Sequence, residues 1–265
     1  MIINPYVFAS CDPDAEIFIT AAGITDVTQK TAICKLVGAL KSNNLWTKMQ
    51  AIYPFVGGTA TTHKWNLKNP LDTDAAHRIL FSGGWTHSST GILANGMNTF
   101  ANTNVPMNAL IQDDAHISIY SRTNSNIIGI DLGVQFTTIS FSSFIAARTS
   151  GNFNSRLNTS GFTDALTANA DSRGNFLSYR SDNLKINTRK NTNSGFTFNN
   201  TSTSAGANVL PYFIGNINFN GTALGGYYTN REYAFATLGS ALSGSETTIF
   251  YTIIQDFQTL LGRQV

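Results

Sequence analysis

Between Ala51 and Leu238 the chain breaks into short runs of alternating or β-branched residues, each closed by Gly, Asn or Ser. The clearest are residues 78–82, 116–122, 127–134, 137–147, 175–181, 184–189, 195–198, 211–219 and 232–238. Period-2 alternation suits a strand with one buried face, and the turn residues between runs suit hairpins. No helical period interrupts the series, so it predicts around ten antiparallel strands in a sandwich rather than βαβ units. In His116–Arg122, Ile117, Ile119 and Ser121 share one face, and His116, Ser118 and Tyr120 share the other. A chain of 265 residues is normal for one large all-β domain.

Helical patterns flank the strands. Asp14–Ala22 reads as a short helix stopped by Gly23. Asp26, with Gln29 three positions on, fits a capping box for a second helix. Its Ile33, Leu36, Val37 and Leu40 line one face, which is expected to pack on the β domain. Asn43-Asn44 breaks it, and Leu45, Trp46, Met49 and Ile52 predict one more amphipathic turn with Trp46 in the core. At the other end, Ser243 and Glu246 form an S-x-x-E box. Ile249, Phe250, Ile253, Phe257, Leu260 and Leu261 then follow at helical spacing, which predicts a helix over 244–261. The organisation expected is an N-terminal arm and helical segment, 1–50, then a β-sandwich, 51–265. Residues 190–208 read as an exposed hairpin tip and 82–110 as a second long polar region.

Composition narrows the partners. Charged residues are 12%, about half the usual share. Asn, Ser and Thr fill the gap, 83 residues together. A net charge of +2 without a basic stripe argues against nucleic acid, and no run of 18 apolar residues predicts a membrane span. Met1–Ser10 lacks the basic residues of a secretory signal. Cys11 and Cys34, 23 positions apart, read as two free thiols, with a single bridge as the alternative.

Two stretches carry a resemblance. Phe213–Ile217, Arg231–Ala236 and Leu242–Glu246 resemble the end of concanavalin A-like, laminin-G-type jelly rolls. Asp26–Lys48, Ala51–Pro70, Phe81–His87, Tyr120–Asn126 and Phe257–Val265 resemble a module of tailed-phage virion proteins. The resemblance implies a jelly roll exposed on a virion, with other virion proteins as partners and a homo-oligomer as one arrangement.

Enzyme chemistry is tested against the acidic residues. A glucanase of such a fold needs two carboxylates on one strand face, about 5–10 Å apart. The chain has three Glu, namely Glu16, Glu232 and Glu246, and no two share a predicted strand. There is no G-x-S-x-G elbow, and His63, His77, His87 and His116 have no metal-ligand spacing. No catalytic residue is expected. Asp72, Asp74, Asp113 and Asp114, with Asp131, are calcium candidates because they offer oxygen ligands on loops, and no other cofactor is expected.

Sugar recognition asks for aromatic platforms beside short polar groups. Trp85 and His87 in GGWTH, Tyr227, Tyr228 and Asn230 in GGYYTN, and Trp65 in HKWNL meet that description. Taken singly, each aromatic is better read as packing the helices or closing a sandwich end. The functional expectation is a non-enzymatic phage virion surface protein, a head decoration or tail-fibre component binding host or environmental glycans. The alternatives are a decoration module without ligand and a glycan-degrading enzyme.

Overall fold

The structure, a computed structural model, describes residues 11–136, 141–159, 164–192, 200, 201, 204 and 208–265. The expected segment 195–198 lies outside these, as does most of the expected hairpin tip. Two antiparallel sheets face each other, and helices cover the outer side of one of them. The first sheet runs β13 (Asn200–Thr201), β12 (Lys185–Lys190), β11 (Gly174–Arg180), β6 (Ala115–Ser121), β17 (Glu232–Gly239), β4 (Gly91–Leu93), β3 (Thr86–Ser88), with β1 (Met49–Tyr53) also on β17. The second runs β10 (Ala165–Ala168), β9 (Asn152–Thr159), β8 (Phe141–Thr149), β7 (Leu132–Phe136), β14 (Pro211–Ile214), β5 (Phe100–Pro106), β2 (Leu80–Ser82). A short pair, β15 (Ile217–Phe219) and β16 (Thr222–Ala223), joins it through β7. The antiparallel sandwich expected from alternation is present, as the resemblance to jelly-roll folds also implies.

The alternation in β6 serves two cores. Ile117 and Ile119 sit between the sheets with Tyr53, Phe153, Phe176 and Tyr233. Tyr120 points the other way, into a helix layer. That layer comprises α1 (Pro13–Ala21), α2 (Val27–Ser42) and α4 (Gly244–Leu260); a single turn, α3 (Ala60–His63), follows β1. Ile33, Leu36, Val37 and Leu40 of α2 and Phe250, Ile253, Ile254 and Phe257 of α4 close over Tyr120, Leu177 and Phe235. The α2 face therefore packs on the β domain as its periodicity demands. Each large side chain buried there contributes about 1.5–3 kcal/mol.

The caps follow the sequence closely. Ser243 and Glu246 form the reciprocal box that starts α4, and Glu246 also pairs with Lys48 at 2.7 Å. Asp26 accepts the Gln29 N–H at 2.8 Å. The Gln29 side chain, however, accepts the Gly57 N–H, so no box closes there.

Several expectations are corrected. Cys11 and Cys34 are bridged, not free: α1 folds back on α2 and brings their Cα atoms to 5.1 Å. Met49 and Ile52 lie in β1, not in a helical turn, because pairing with β17 offers that segment a ladder. Trp46 is only partly buried, and the Lys41 and Lys68 ammonium groups lie over its ring. Residues 82–110 are not one polar crossing, since β3, β4 and β5 lie within them. The run 211–219 splits at Gly215, whose φ of +81° turns the chain so that β14 is antiparallel and β15 parallel to β7. Strands β9 and β10 were not foreseen.

Candidate functional site

One end of the sandwich collects six loops. Register fixes this: Glu232 pairs with Leu93, Tyr233 and Gly174 with Ser121, Leu132 with Ile145, and Phe176 with Lys190. The segments 94–99, 122–131, 148–151, 169–173, 191–192 and 224–231 therefore emerge together.

Among them lies an open cleft of about 490 Å³. Tyr228 and Asn230 form one wall, and Gly225 and Gly226 lie beside them. Gly96, Met97, Ile127 and Ile128 complete the lining, with Gly96 next to Asn230. Met97 and Ile128 are strongly exposed, 73% and 65%. Tyr227 stands exposed next to Tyr228. The Asn95 side chain accepts the N–H groups of Met97 and Asn98, which holds the tight turn at Gly96.

The 228–231 segment alternates. Tyr228 and Asn230 face the cleft, while Thr229 and Arg231 are fully buried. The Arg231 guanidinium donates to both Asp131 carboxylate oxygens, at 2.8 and 2.9 Å, and to the carbonyls of Ser125 and Arg148. Tyr233 donates its hydroxyl to the same carboxylate at 2.5 Å, and the Thr229 hydroxyl donates to Tyr233 Oη at 2.6 Å. Asp131 Oδ2 also takes the Ala147 N–H. Burial, then the neighbouring carboxylate, pushes the Tyr233 hydroxyl far above its ordinary pKa, so it stays a donor. Burial opposes the charge on Arg231, but Asp131 outweighs it and its pKa is raised. The ion pair thus sits under the cleft and ties three of its loops to the core.

Of the expected sugar contacts, Tyr228 and Asn230 come together here, and Tyr227 is exposed in the same loop. Trp85 does not join them. Its ring lies against Gly215 and near Phe81 and Tyr233, and its indole N–H donates to the Phe100 carbonyl. It closes the sandwich end, because a half-apolar ring next to a glycine gains more from packing than from solvent. His87 is also withdrawn from the set. Gly58 N–H donates to His63 Nε2, so His63 Nδ1 carries the proton and donates to His87 Nδ1 at 3.0 Å. Burial, then His87 and Arg263, holds His63 down to about 3, and burial lowers His87. Trp65 packs on the helix layer and donates to the Thr61 carbonyl. Met97 and Ile128 were missed; the exposed Met after Asn95-Gly96 was the available signal.

The calcium candidates have other partners. Asp72 pairs with Lys64 and Arg78, and Asp74 with Arg78. Asp114 accepts the Ala241 N–H, at the opposite end from the cleft, and Asp131 is committed to Arg231. Asp113 lies beside Asp114, with one carboxylate oxygen buried and unpartnered. Among the described residues no three His, Cys, Asp or Glu converge on a metal position. Glu232, the remaining strand carboxylate, is held by Arg122 and Thr90.

No family model matches the chain. No curated protein matches it either. Solved structures do. Trypanosoma rangeli sialidase in complex with sialic acid aligns with a TM-score of 0.52 at 7% identity, over 84% of this chain and 38% of that one. The botulinum neurotoxin serotype D binding domain aligns with a TM-score of 0.50 at 10% identity, over 81% of this chain and 52% of that one. The chain thus spans about two fifths and about half of these proteins. At such identities the likeness defines the fold alone, a mainly antiparallel β-sandwich. It also corrects the functional expectation: the matches are to a sialidase and a toxin binding domain, and the assignment to a phage virion surface is withdrawn.

Proposed function

We propose that the chain is a glycan-binding β-sandwich module that recognises sugar in the cleft of Tyr228 and Asn230 and does not cleave it. The observation that carries this is the meeting of Tyr228 and Asn230 in one open cleft, with Tyr227 exposed beside Tyr228 and a buried ion pair behind them. A tyrosine ring can stack on the apolar face of a sugar, and an asparagine beside it can donate to and accept from neighbouring hydroxyls. The glycines let a ligand approach the backbone. Among the described residues no carboxylate lines the cleft, and hydrolysis by a paired acid and nucleophile would need two. The matched sialidase was solved with sialic acid bound, which agrees with sugar recognition on a chain that includes this fold. The Cys11–Cys34 bridge favours work in an oxidising setting such as the cell exterior.

A glycan array probed with the wild-type protein, Tyr228→Ala and Asn230→Ala tests this. Selective binding that both substitutions weaken about tenfold or more is expected, the size of one lost stacking or hydrogen-bonded contact. A flat wild-type response, or binding indifferent to both substitutions, refutes the cleft. Release of sugar from a bound glycan refutes the non-enzymatic reading.

A further inference from the structure

The end of the sandwich that holds the cleft also gathers three cations, two of them on Asp171 and the third on Asn124. Arg173 grips Asp171 through Nε and Nη2, at 3.1 and 2.8 Å. Lys190 has no carboxylate partner among the described residues. Its ammonium donates to the Asn169 side chain at 3.0 Å and to the Asp171 carbonyl. Arg148 likewise has none: one guanidinium nitrogen donates to Asn124 Oδ1 at 3.1 Å, and its Nε is shut from solvent without a partner. Burial lowers the Lys190 pKa; Asp171 opposes this, while Arg173 and Arg148 add to it, so the three charges lie close enough to repel.

This cluster adjoins a loop that lines the cleft. Asn124 Oδ1 also accepts the Ser172 N–H, which seats the 122–131 loop on the 169–173 loop. The same loop then supplies Ile127 and Ile128 to the cleft wall. From Asn124 to Ile128 the chain covers at most about 14 Å. A local excess of two positive charges, in a chain whose net charge is +2, has no internal counter-charge and favours an external anion. An arginine and a lysine with free donor capacity suit a carboxylate.

We propose that Arg148, Arg173 and Lys190 form an anion subsite that receives a carboxylate of an acidic oligosaccharide whose adjoining ring lies beside Tyr228. This rests on the cleft being the glycan site, and it adds a preference that the cleft alone does not supply.

Titration calorimetry with a hyaluronan hexasaccharide and its methyl ester, which has the same rings without the charges, separates the two. The wild-type protein is expected to bind the acid about tenfold tighter than the ester, the ratio given by one charge-assisted contact. The Arg148→Gln/Lys190→Gln variant, checked for an unchanged circular dichroism spectrum, should bind both forms like the ester. Tyr228→Ala should weaken both forms by the same factor. If acid and ester bind equally and Tyr228→Ala still matters, the subsite is overturned and the cleft stands. If the acid binds but ignores Tyr228→Ala, the joint site is overturned and only a separate anion site remains. If neither form binds, the subsite is overturned.

Discussion

Asp131→Asn is the sharpest test of how the cleft is held. Asp131 and Arg231 are both fully buried, and the carboxylate takes donors from Arg231, Tyr233 and Ala147. Asparagine keeps the shape but removes the charge and points an amide at one set of donors. The Arg231 guanidinium is then left buried without its counter-ion, which costs about 3–5 kcal/mol. For 265 residues the unfolding entropy is about 0.56 kcal/mol/K, so the melting temperature should fall by about 5–9 °C in scanning calorimetry. Adding Arg231→Met should recover much of that loss, because an apolar replacement of both partners is close to neutral. A single-variant shift under about 2 °C would refute the reasoning, since it is well below the cost of an uncompensated buried charge. So would a double variant whose loss equals the sum of the singles, because coupled partners cannot be additive.

Three further outcomes are expected. Replacing Cys11 and Cys34 by serine frees a loop closed across 23 residues and should cost about 3 kcal/mol, read as a lower denaturant midpoint; no change would mean the bridge constrains nothing. His116 is fully buried, donating from Nδ1 to the Ser240 carbonyl, and burial, only partly offset by that bond, holds it at about 4, so it folds neutral. The unfolded chain binds a proton there near pH 6.5 and the folded chain does not, so stability should fall as pH drops from about 6.5 to about 4. His116→Gln should reduce that slope, leaving the share of His63 and His87, and an unaltered profile would count against it. Gly215→Ala combines a φ of +81° with a methyl 2.7 Å from the Trp85 ring, so it should cost about 1–3 kcal/mol and shift Trp fluorescence to the red; a native spectrum and stability would mean the ring is not seated there.

Local signals with one dominant cause were legible in the sequence. The α4 box and its apolar stripe, the Asp26 cap and the alternation of β6 all lie within a few residues of the partner that explains them. What depended on distant chain was not legible. Met49 and Ile52 fit a helical stripe, and only β17, more than 180 residues on, makes them a strand. Trp85 and Tyr228 look alike as loop aromatics after glycine. The first is drawn inward by Gly215 and Tyr233, which no local pattern reveals, and the second is left out by the burial of Thr229. Asp131 looked like a loop oxygen ligand until Arg231, 100 positions away, claimed it.

The pairing of β1 with β17 also bears on how the chain is made. Arg263, itself buried, donates to the carbonyls of Pro54, Phe55 and Ala234 across separations of up to 209 residues. At about 5–20 residues per second, some ten to forty seconds of synthesis separate the first of these partners from the last. During that interval β1 has no neighbour, and the apolar faces of α2 and β6 lack α4. A chaperone that shields those faces, or slow addition of denaturant-free buffer in refolding, should therefore matter more for the yield of this protein than for one built from local contacts.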